Sequence, residues 1–274
     1  MKKFLRNHNQ DIKVILASVW GALFTYILYE FLGFNNVIAA SVTGIFAGLI
    51  APFYAAPCYM GAFVGMVSSE VIKNIFLLVS AGFLAGFLFI GSKKYFSGFG
   101  GKLGAMAFIS ILIVVFFTQF FKVKLFIPAA REFFWGVEIT AVFVLVGAAG
   151  AYFTNLISEN YIFRLIKTKY HNRVLSSALV GLFAGMVFPS LLGNLGVELA
   201  TLIFVASFVG MTSHRVFSKD CEYFFAGGVA GLVYAVSGSF FPGFGGKAGS
   251  IAFVAVIIFV EIYRFIKKIY KKVG

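Results

Sequence analysis

The sequence is poor in charged residues. Only 12% of its 274 residues are Asp, Glu, Lys or Arg, whereas 61% are hydrophobic. Soluble domains carry about 25% charged residues, so this composition excludes a soluble globular protein. With 37 Phe and a mean hydropathy of +0.96, the chain is apolar nearly throughout. Its expected solvent is lipid.

Cysteine and acidic residues are also scarce. The two cysteines, Cys58 and Cys221, lack the spacing of a metal site or a disulfide framework, so both are expected to be buried free thiols. Only ten Asp and Glu are present, and most fall near the ends of apolar segments. Glu138 and His214 are the candidates for proton coupling. The sequence contains no convincing network for ion coupling around them.

Catalytic signatures are missing as well. The chain has no His-Glu-X-X-His, no paired intramembrane aspartates, no Gly-X-Ser-X-Gly and no Cys and His cluster at ligand spacing. We therefore expect no enzyme, no cofactor and no metal. The first apolar stretch, 15–31, is too long for a secretory signal and lacks a small-residue cleavage site, so a retained helix is expected there.

What the chain does contain is a duplicated motif. Gly-Phe-Gly-Gly-Lys-X-Gly occurs at 98–104 and again at 243–249, 145 residues later. In that register 20 of the 47 positions from Phe63 onward are identical. A second register, offset by 137, matches 44–52 to 181–189, so the second half has about eight extra residues around 190–198. This internal repeat dictates the expected architecture.

Ten apolar segments are candidates for membrane helices, each close to the roughly 20 residues that a span needs. The third and eighth are short enough to be tilted, broken or re-entrant. The segments are 12–32, 37–54, 56–71, 74–92, 103–122, 133–157, 173–190, 197–213, 220–239 and 248–267.

The distribution of basic residues supports ten spans. Lys and Arg accumulate in short cytoplasmic loops. Ten spans place 18 of the 23 basic residues on the side of the two termini. We therefore predict a multi-pass protein of the plasma (inner) membrane with both termini in the cytoplasm. The net charge of +13 then reflects topology and contact with anionic lipid, and nucleic-acid binding is a poor alternative. The five basic residues on the opposite side are Lys73, Lys122, Lys124, Arg131 and Lys247.

Five spans per repeat is an odd number, so the second repeat is expected to enter the membrane inverted. The prediction is an all-α polytopic protein with a first five-helix repeat at 1–124 and an inverted one at 125–274. In such proteins the solute site lies near the midplane between the repeats, and glycine-broken backbone lines it.

The motif is the expected solute site. Its glycines favour a turn or an opened helix start with free amides, and these attract anions beside a lysine ammonium. Leu103 and Ala248 stand where a nucleotide-binding P-loop needs Ser or Thr, which excludes that site. The predicted pore residues are Phe99, Gly100, Gly101, Lys102, Phe244, Gly245, Gly246 and Lys247, with Phe63 and Phe208 opposite.

A purely structural interpretation of the motif stays open. The glycines would then only allow tight helix crossing, and Lys102 and Lys247 would reach a headgroup or cap a neighbouring helix. Replacing each lysine by Ala separates the two interpretations, because only a solute site predicts lower flux without unfolding.

The segment from Gly98 to Phe108, repeated as 243–253, resembles the glycine-rich signature of urea-transporter-type channels, which also have five plus five inverted spans. The resemblance covers the repeat plan and one segment per half. The Leu-Pro-Phe-Asn-type signature of that family is missing here, and Gly-Gly-Lys replaces its Asn-containing turn. The resemblance implies the architecture and no substrate.

The sequence thus predicts a channel or facilitator for a small solute, with an anion favoured by the lysines. A proton-coupled secondary transporter and a non-transport membrane assembly subunit are the alternatives. Membrane lipid, the solute and further copies of the chain in a homo-oligomer are the expected partners.

Overall fold

The computed structural model describes residues 2–120, 136–159 and 172–273, and no strand is present in these ranges. The predicted all-α class is confirmed. The helices are α1 (Lys2–Tyr26, continued by a π-helical turn at Ile27–Phe31), α2 (Asn36–Ile50), α3 (Ala55–Gly65, after a 3-10 turn at Pro52–Tyr54), α4 (Ile75–Gly91), α5 (Lys102–Phe120), α6 (Val137–Glu159), α7 (Asn172–Gly210), α8 (Asp220–Ser237) and α9 (Lys247–Val273).

Local chemistry sets several helix ends. The side chains of Asn35 and Asn74 accept main-chain N–H groups at the starts of α2 and α4, both at 2.8 Å. Such caps satisfy donors that have no partner inside the helix. At the start of α8, the Glu222 carboxylate accepts the N–H of Ser218 at 2.6 Å and that of Lys219 at 3.2 Å. This helix-capping role accounts for a largely buried carboxylate in an apolar protein.

Helix α7 is interrupted at the position where the sequence predicts the connection between two spans. Gly193 has a φ of 56° and a ψ of −129°, which is not helical. The Cα of Gly196 lies against the carbonyl of Phe188, eight residues earlier, so the chain reverses direction there. The helix therefore consists of two arms, 172–192 and 194–210, close to the predicted segments 173–190 and 197–213.

Within the described residues, four helices are long and apolar enough to cross a membrane: 9–31, 137–159, 173–210 and 247–270, of which 173–210 includes the interruption at Gly193. The apolar helices α2, α4 and α5 are shorter, and α3, expected as a short span, has only 11 residues. The predicted boundary at 124 and the basic residues Lys122, Lys124, Arg131, Arg164, Lys167 and Lys169 lie outside the described residues.

Small residues bring the helices together. Gly86 of α4 lies so close to Ile15 of α1 that a Cβ there would be 2.9 Å from the Ile15 Cα, and one at Gly231 of α8 would be 2.8 Å from the Val144 Cα of α6. Close backbone approach of this kind is typical of membrane helix packing, where small residues line the interface. Helix α1 thus packs on α3 and α4, and α6 packs on α7 and α8.

The cysteines differ from the expectation in one respect. Cys58 is a buried free thiol, as predicted, whereas Cys221 is free but exposed, so that part of the prediction is wrong. Cys221 is the second residue of α8, and side chains at a helix start have few helical neighbours to cover them.

Candidate functional site

The two motif copies adopt the same unusual backbone. Phe96, Gly98 and Gly101 have φ values of 48°, 86° and 76°, and the matched Phe241, Gly243 and Gly246 have values of 50°, 76° and 77°. Positive φ is favourable for glycine and costly for an aromatic residue. The repeated conformation explains why the glycines recur in this spacing: they let the chain leave α4 or α8, turn back and start the next helix.

The two copies lie against each other. A Cβ on Gly104 would be 2.5 Å from the Cα of Gly249, and a Cβ on Gly249 would be 2.5 Å from the Cα of Gly104. Gly101 lies against the carbonyl of Gly249, and Gly246 lies against that of Gly104. The first turns of α5 and α9 therefore cross at a point where no side chain fits.

Each copy is also held by the opposite half of the chain. The N–H of Ser213 donates to the carbonyl of Gly98 at 2.8 Å, and that of Ser68 donates to Gly243 at 2.9 Å. Aromatic contacts follow the same exchange, with ring centroids 5.2 Å apart for Phe96 and Phe253 and 5.4 Å apart for Phe108 and Phe241. Positions related by 145 residues thus make matching contacts.

The two motif lysines bond to main-chain carbonyls. Nζ of Lys102 donates to the carbonyls of Ser92 at 2.5 Å and Tyr95 at 2.6 Å, and Nζ of Lys247 donates to Gly238 at 2.7 Å. Ser92 and Gly238 are the C-cap residues of α4 and α8. Cations are favourable at helix C-termini. These are the contacts of the structural interpretation, in which each lysine caps a neighbouring helix.

Most main-chain N–H groups at the start of α5 lack a hydrogen-bond acceptor in the described part of the chain. Among the described residues, the N–H groups of Gly101, Leu103 and Gly104 have no acceptor, whereas that of Gly100 donates to Oγ1 of Thr212 at 3.1 Å. The first N–H groups of a helix lack partners inside the helix. Here Gly101 and Gly104 are buried, so water does not reach them freely.

A cavity of about 90 Å³ lies beside these donors. It brings together six predicted pore residues, and Met211 and Leu103 complete its apolar wall. The other four, Phe244, Gly245, Gly246 and Lys247, belong to the second copy and do not line this cavity. The six are Phe63, Phe99, Gly100, Gly101, Lys102 and Phe208.

Aromatic rings close the inner end of this region. The rings of Phe63 and Phe208, at matched positions, lie 4.9 Å apart and are both buried. Tyr59 packs on Phe63 at 4.4 Å, and the matched Phe204 packs on Phe208 at 4.5 Å. The four buried rings pack together between α3 and the second arm of α7.

The two predicted coupling residues do not line the cavity, although His214 directly follows Ser213, which bonds to Gly98. Glu138 is exposed at the second position of α6. Nε2 of His214 lies 2.9 Å from Oε1 of Glu159, and Nδ1 lies 3.4 Å from the hydroxyl of Tyr223. Within the described residues, no group of three His, Cys, Asp or Glu could hold a metal ion.

Sequence reasoning missed part of the pairing. Helices α1 and α6 match each other in a third register, offset by 129 residues, and make corresponding contacts. In this register Glu159 matches Glu30. Oε1 of Glu30 accepts the N–H of Ser69 at 2.8 Å, and Ser69 is the counterpart of His214. The signal was available in the sequence, since Leu16, Gly21, Ala22, Phe24, Thr25 and Glu30 recur as Leu145, Gly150, Ala151, Phe153, Thr154 and Glu159.

No protein-family model, curated protein or solved structure matches this chain.

Proposed function

We propose that this protein is a membrane channel or facilitator for a small solute, with ten membrane segments in two inverted five-helix halves. The exchange of contacts between the halves supports this plan: Ser213 binds Gly98 as Ser68 binds Gly243. A pseudo-two-fold axis between inverted repeats produces such exchange, and transporters with this plan place their solute site at the interface.

The contact between the N-terminus and α4 supports the proposed topology. Lys93, just after α4, forms an ion pair at 2.7 Å with Asp11 of α1, which directly precedes the proposed first membrane segment, 12–32. Both residues belong to the side that carries most basic residues in the ten-span arrangement. An even number of crossings separates them, and this side is the cytoplasmic one by the positive-inside rule.

The observation that carries the proposal is the meeting of two helix starts. Helices α5 and α9 begin at Lys102 and Lys247 and cross at Gly104 and Gly249. The positive ends of both helix dipoles therefore converge, beside a cavity lined by unpaired main-chain donors. Unpaired backbone at membrane depth is tolerated where it lines a solute cavity. Convergent N–H groups favour an anion.

The lysines have two roles in this proposal. Their hydrogen bonds to Ser92, Tyr95 and Gly238 fix the turns that present the glycine donors. Their charges also add to the positive potential around the cavity, because electrostatic attraction does not require direct contact with the solute. Phe63 and Phe208 form the barrier, and conduction requires that their rings move apart.

Reconstitution tests the proposal. Purified protein in liposomes should pass small anions such as chloride, nitrate or formate, measured by an anion-sensitive dye inside the vesicles, with urea as a neutral comparison solute. The variant Phe208→Ala should raise the flux, because it removes half of the ring pair. Phe225→Ala is the matched control, since Phe225 is 60% exposed and lies away from the ring pair.

The outcome against the proposal is equally concrete. Absence of flux for every anion and for urea, both in the wild-type protein and in Phe208→Ala, would contradict a channel and favour a membrane assembly subunit. Passage of urea without anions would keep the channel and remove the anion as its solute.

The contact between His214 and Glu159 favours one second candidate, a proton-coupled transporter. Histidine and carboxylate side chains in contact form proton relays in pumps and transporters. This candidate predicts that solute flux collapses a pH gradient across the liposome and that His214→Gln uncouples the two. A flux that leaves the gradient intact would exclude it.

A further inference from the structure

The last part of α9 is exposed around its circumference. Every residue from Glu261 to Tyr270 is exposed, whereas Val256 and Val260 just before them are buried. Helix α9 has 27 residues, about seven more than the roughly 20 that cross the hydrocarbon of a bilayer, so its last turns at 267–273 project past the hydrocarbon. The segment 261–273, named the α9 tail, therefore extends beyond the part of the helix that packs in the protein.

The α9 tail separates its apolar and basic residues. Ile262, Phe265, Ile266 and Ile269 follow the i, i+3, i+4, i+7 spacing of one helix face. A span surrounded by lipid is apolar around its whole circumference, whereas the tail, which overlaps the end of the candidate span 247–270, is amphipathic. Five basic residues lie at other positions of the tail, together with Tyr263 and Tyr270, and one acidic residue, Glu261, is present. The basic residues are Arg264, Lys267, Lys268, Lys271 and Lys272.

The single carboxylate leaves the positive charge almost intact. Oε1 of Glu261 accepts a hydrogen bond from Arg264 at 2.7 Å. Lys267 and Lys268 are exposed and have no acidic neighbour among the contacts of the described chain. An amphipathic helix with a basic face is typical of segments that lie on membranes containing anionic lipid.

We propose that the α9 tail docks on the headgroup layer of an anionic bilayer, with its apolar stripe toward the acyl chains and its basic side chains on lipid phosphates. The occupant follows from charge complementarity and from continuity with the membrane span of α9. A second copy of the chain fits less well, because two tails would bring like charges together. This proposal does not depend on transport by the protein.

A fluorescent label on the apolar stripe tests the proposal in the full chain. The variant Ile269→Cys, in a Cys221→Ser background, carries an environment-sensitive fluorophore, and Cys58 stays buried and unlabelled. In vesicles of phosphatidylcholine with phosphatidylglycerol, the emission should be blue-shifted relative to vesicles of phosphatidylcholine alone. High salt should reduce the shift.

Charge variants make the test specific. Lys267→Gln with Lys268→Gln should lower the ratio of docked to free tail by about fivefold for each lost charge. Lys94→Gln with Arg215→Gln removes the same charge from exposed positions elsewhere and should leave the emission unchanged. Equal emission in the two vesicle types, or in the two double variants, would overturn the proposal. Excimer emission from a pyrene label attached to the same Ile269→Cys variant would overturn it in favour of a second copy.

Discussion

The first motif copy, 98–104, and the second, 243–249, share a backbone path and differ in the side chains around it. Both have positive φ at the same two glycines, and both meet at Gly104 and Gly249. In the first copy, the hydroxyl of Thr212 accepts the N–H of the third residue, Gly100. In the second copy the third residue is Gly245, and the position matched to Thr212 is Val67, which has no hydroxyl.

This comparison shows which features depend on the fold and which can vary. Backbone conformation and close approach are the same in both copies, since the crossing of α5 and α9 leaves no room for change. The polar surroundings differ, and the cavity of about 90 Å³ lies on the first copy. We infer that the two copies contribute equally to stability and unequally to any solute site.

The largest expected effect is steric and common to both copies. Gly104→Ala and Gly249→Ala should each lower the free energy of unfolding by about 3 kcal/mol, because the added Cβ meets the backbone of the other copy. Thermal unfolding in detergent measures this. Gly91→Ala is the control, since no heavy atom lies within 4 Å of a Cβ there. A loss of stability in only one of these two variants would contradict the mutual contact of Gly104 and Gly249.

The lysine caps are the next largest effect. Lys102→Gln and Lys247→Gln should each cost about 1.5 kcal/mol of stability, because carbonyls near the ends of α4 and α8 lose a charged donor. Unfolding midpoints and anion flux should be measured on the same samples. Lower flux at unchanged stability would instead assign the lysines to the solute, and the exposed Lys94→Gln controls for general loss of charge.

A smaller effect tests the asymmetry itself. Thr212→Val should cost about 1 kcal/mol, because the Gly100 N–H loses its acceptor. Val67→Thr places a hydroxyl at the matched position of the second copy and should be nearly neutral, since a new bond to Gly245 offsets the burial of the hydroxyl. An equal loss of stability in Thr212→Val and Val67→Thr would mean that the new hydroxyl does not reach Gly245. The backbones of the two copies would then not be equivalent at this position.

The smallest effect concerns two serines. The Oγ atoms of Ser68 and Ser213 are buried and have no hydrogen-bond partner in the described part of the chain. Ser68→Ala and Ser213→Ala should therefore change stability by less than about 0.5 kcal/mol. Ser18→Ala is the contrasting control, since its hydroxyl donates to the carbonyl of Gly82 at 2.8 Å. A large loss at either motif serine would reveal a bound water or solute.

The helices were largely predictable because their signals are local. The predicted segments 74–92 and 220–239 correspond to α4 at 75–91 and α8 at 220–237. Long apolar runs end where Asn, Gly, Pro or charged residues occur, and these residues favour caps and turns. The predicted segment 56–71 is longer than α3, which ends at Gly65 although the apolar run continues to Val67.

Sequence reasoning grouped the candidate site residues and did not give their contacts. The repeat identified Phe63, Phe208 and the motif, and six of these predicted residues line one cavity. The hydrogen-bond partners of Lys102 depend on the path of the loop between α4 and α5. This loop turns back and brings the carbonyls of Ser92 and Tyr95 to the lysine. Thr212 could not be singled out either. The repeats differ there, with Val67 matched to Thr212, but this difference indicates a role only once the contact of Thr212 with Gly100 is known.

By itself, the amino-acid sequence determined the apolar character of this protein, its helical class and its internal repeat, because composition, apolar run length and repeated glycines are properties of the chain alone. Tertiary structure alone decided that the two motifs cross at Gly104 and Gly249, that the lysines cap helices and that Phe63 meets Phe208. These contacts join residues that are more than a hundred positions apart in the sequence, or residues at the two ends of a loop that turns back. Only the packing of the whole chain brings them together.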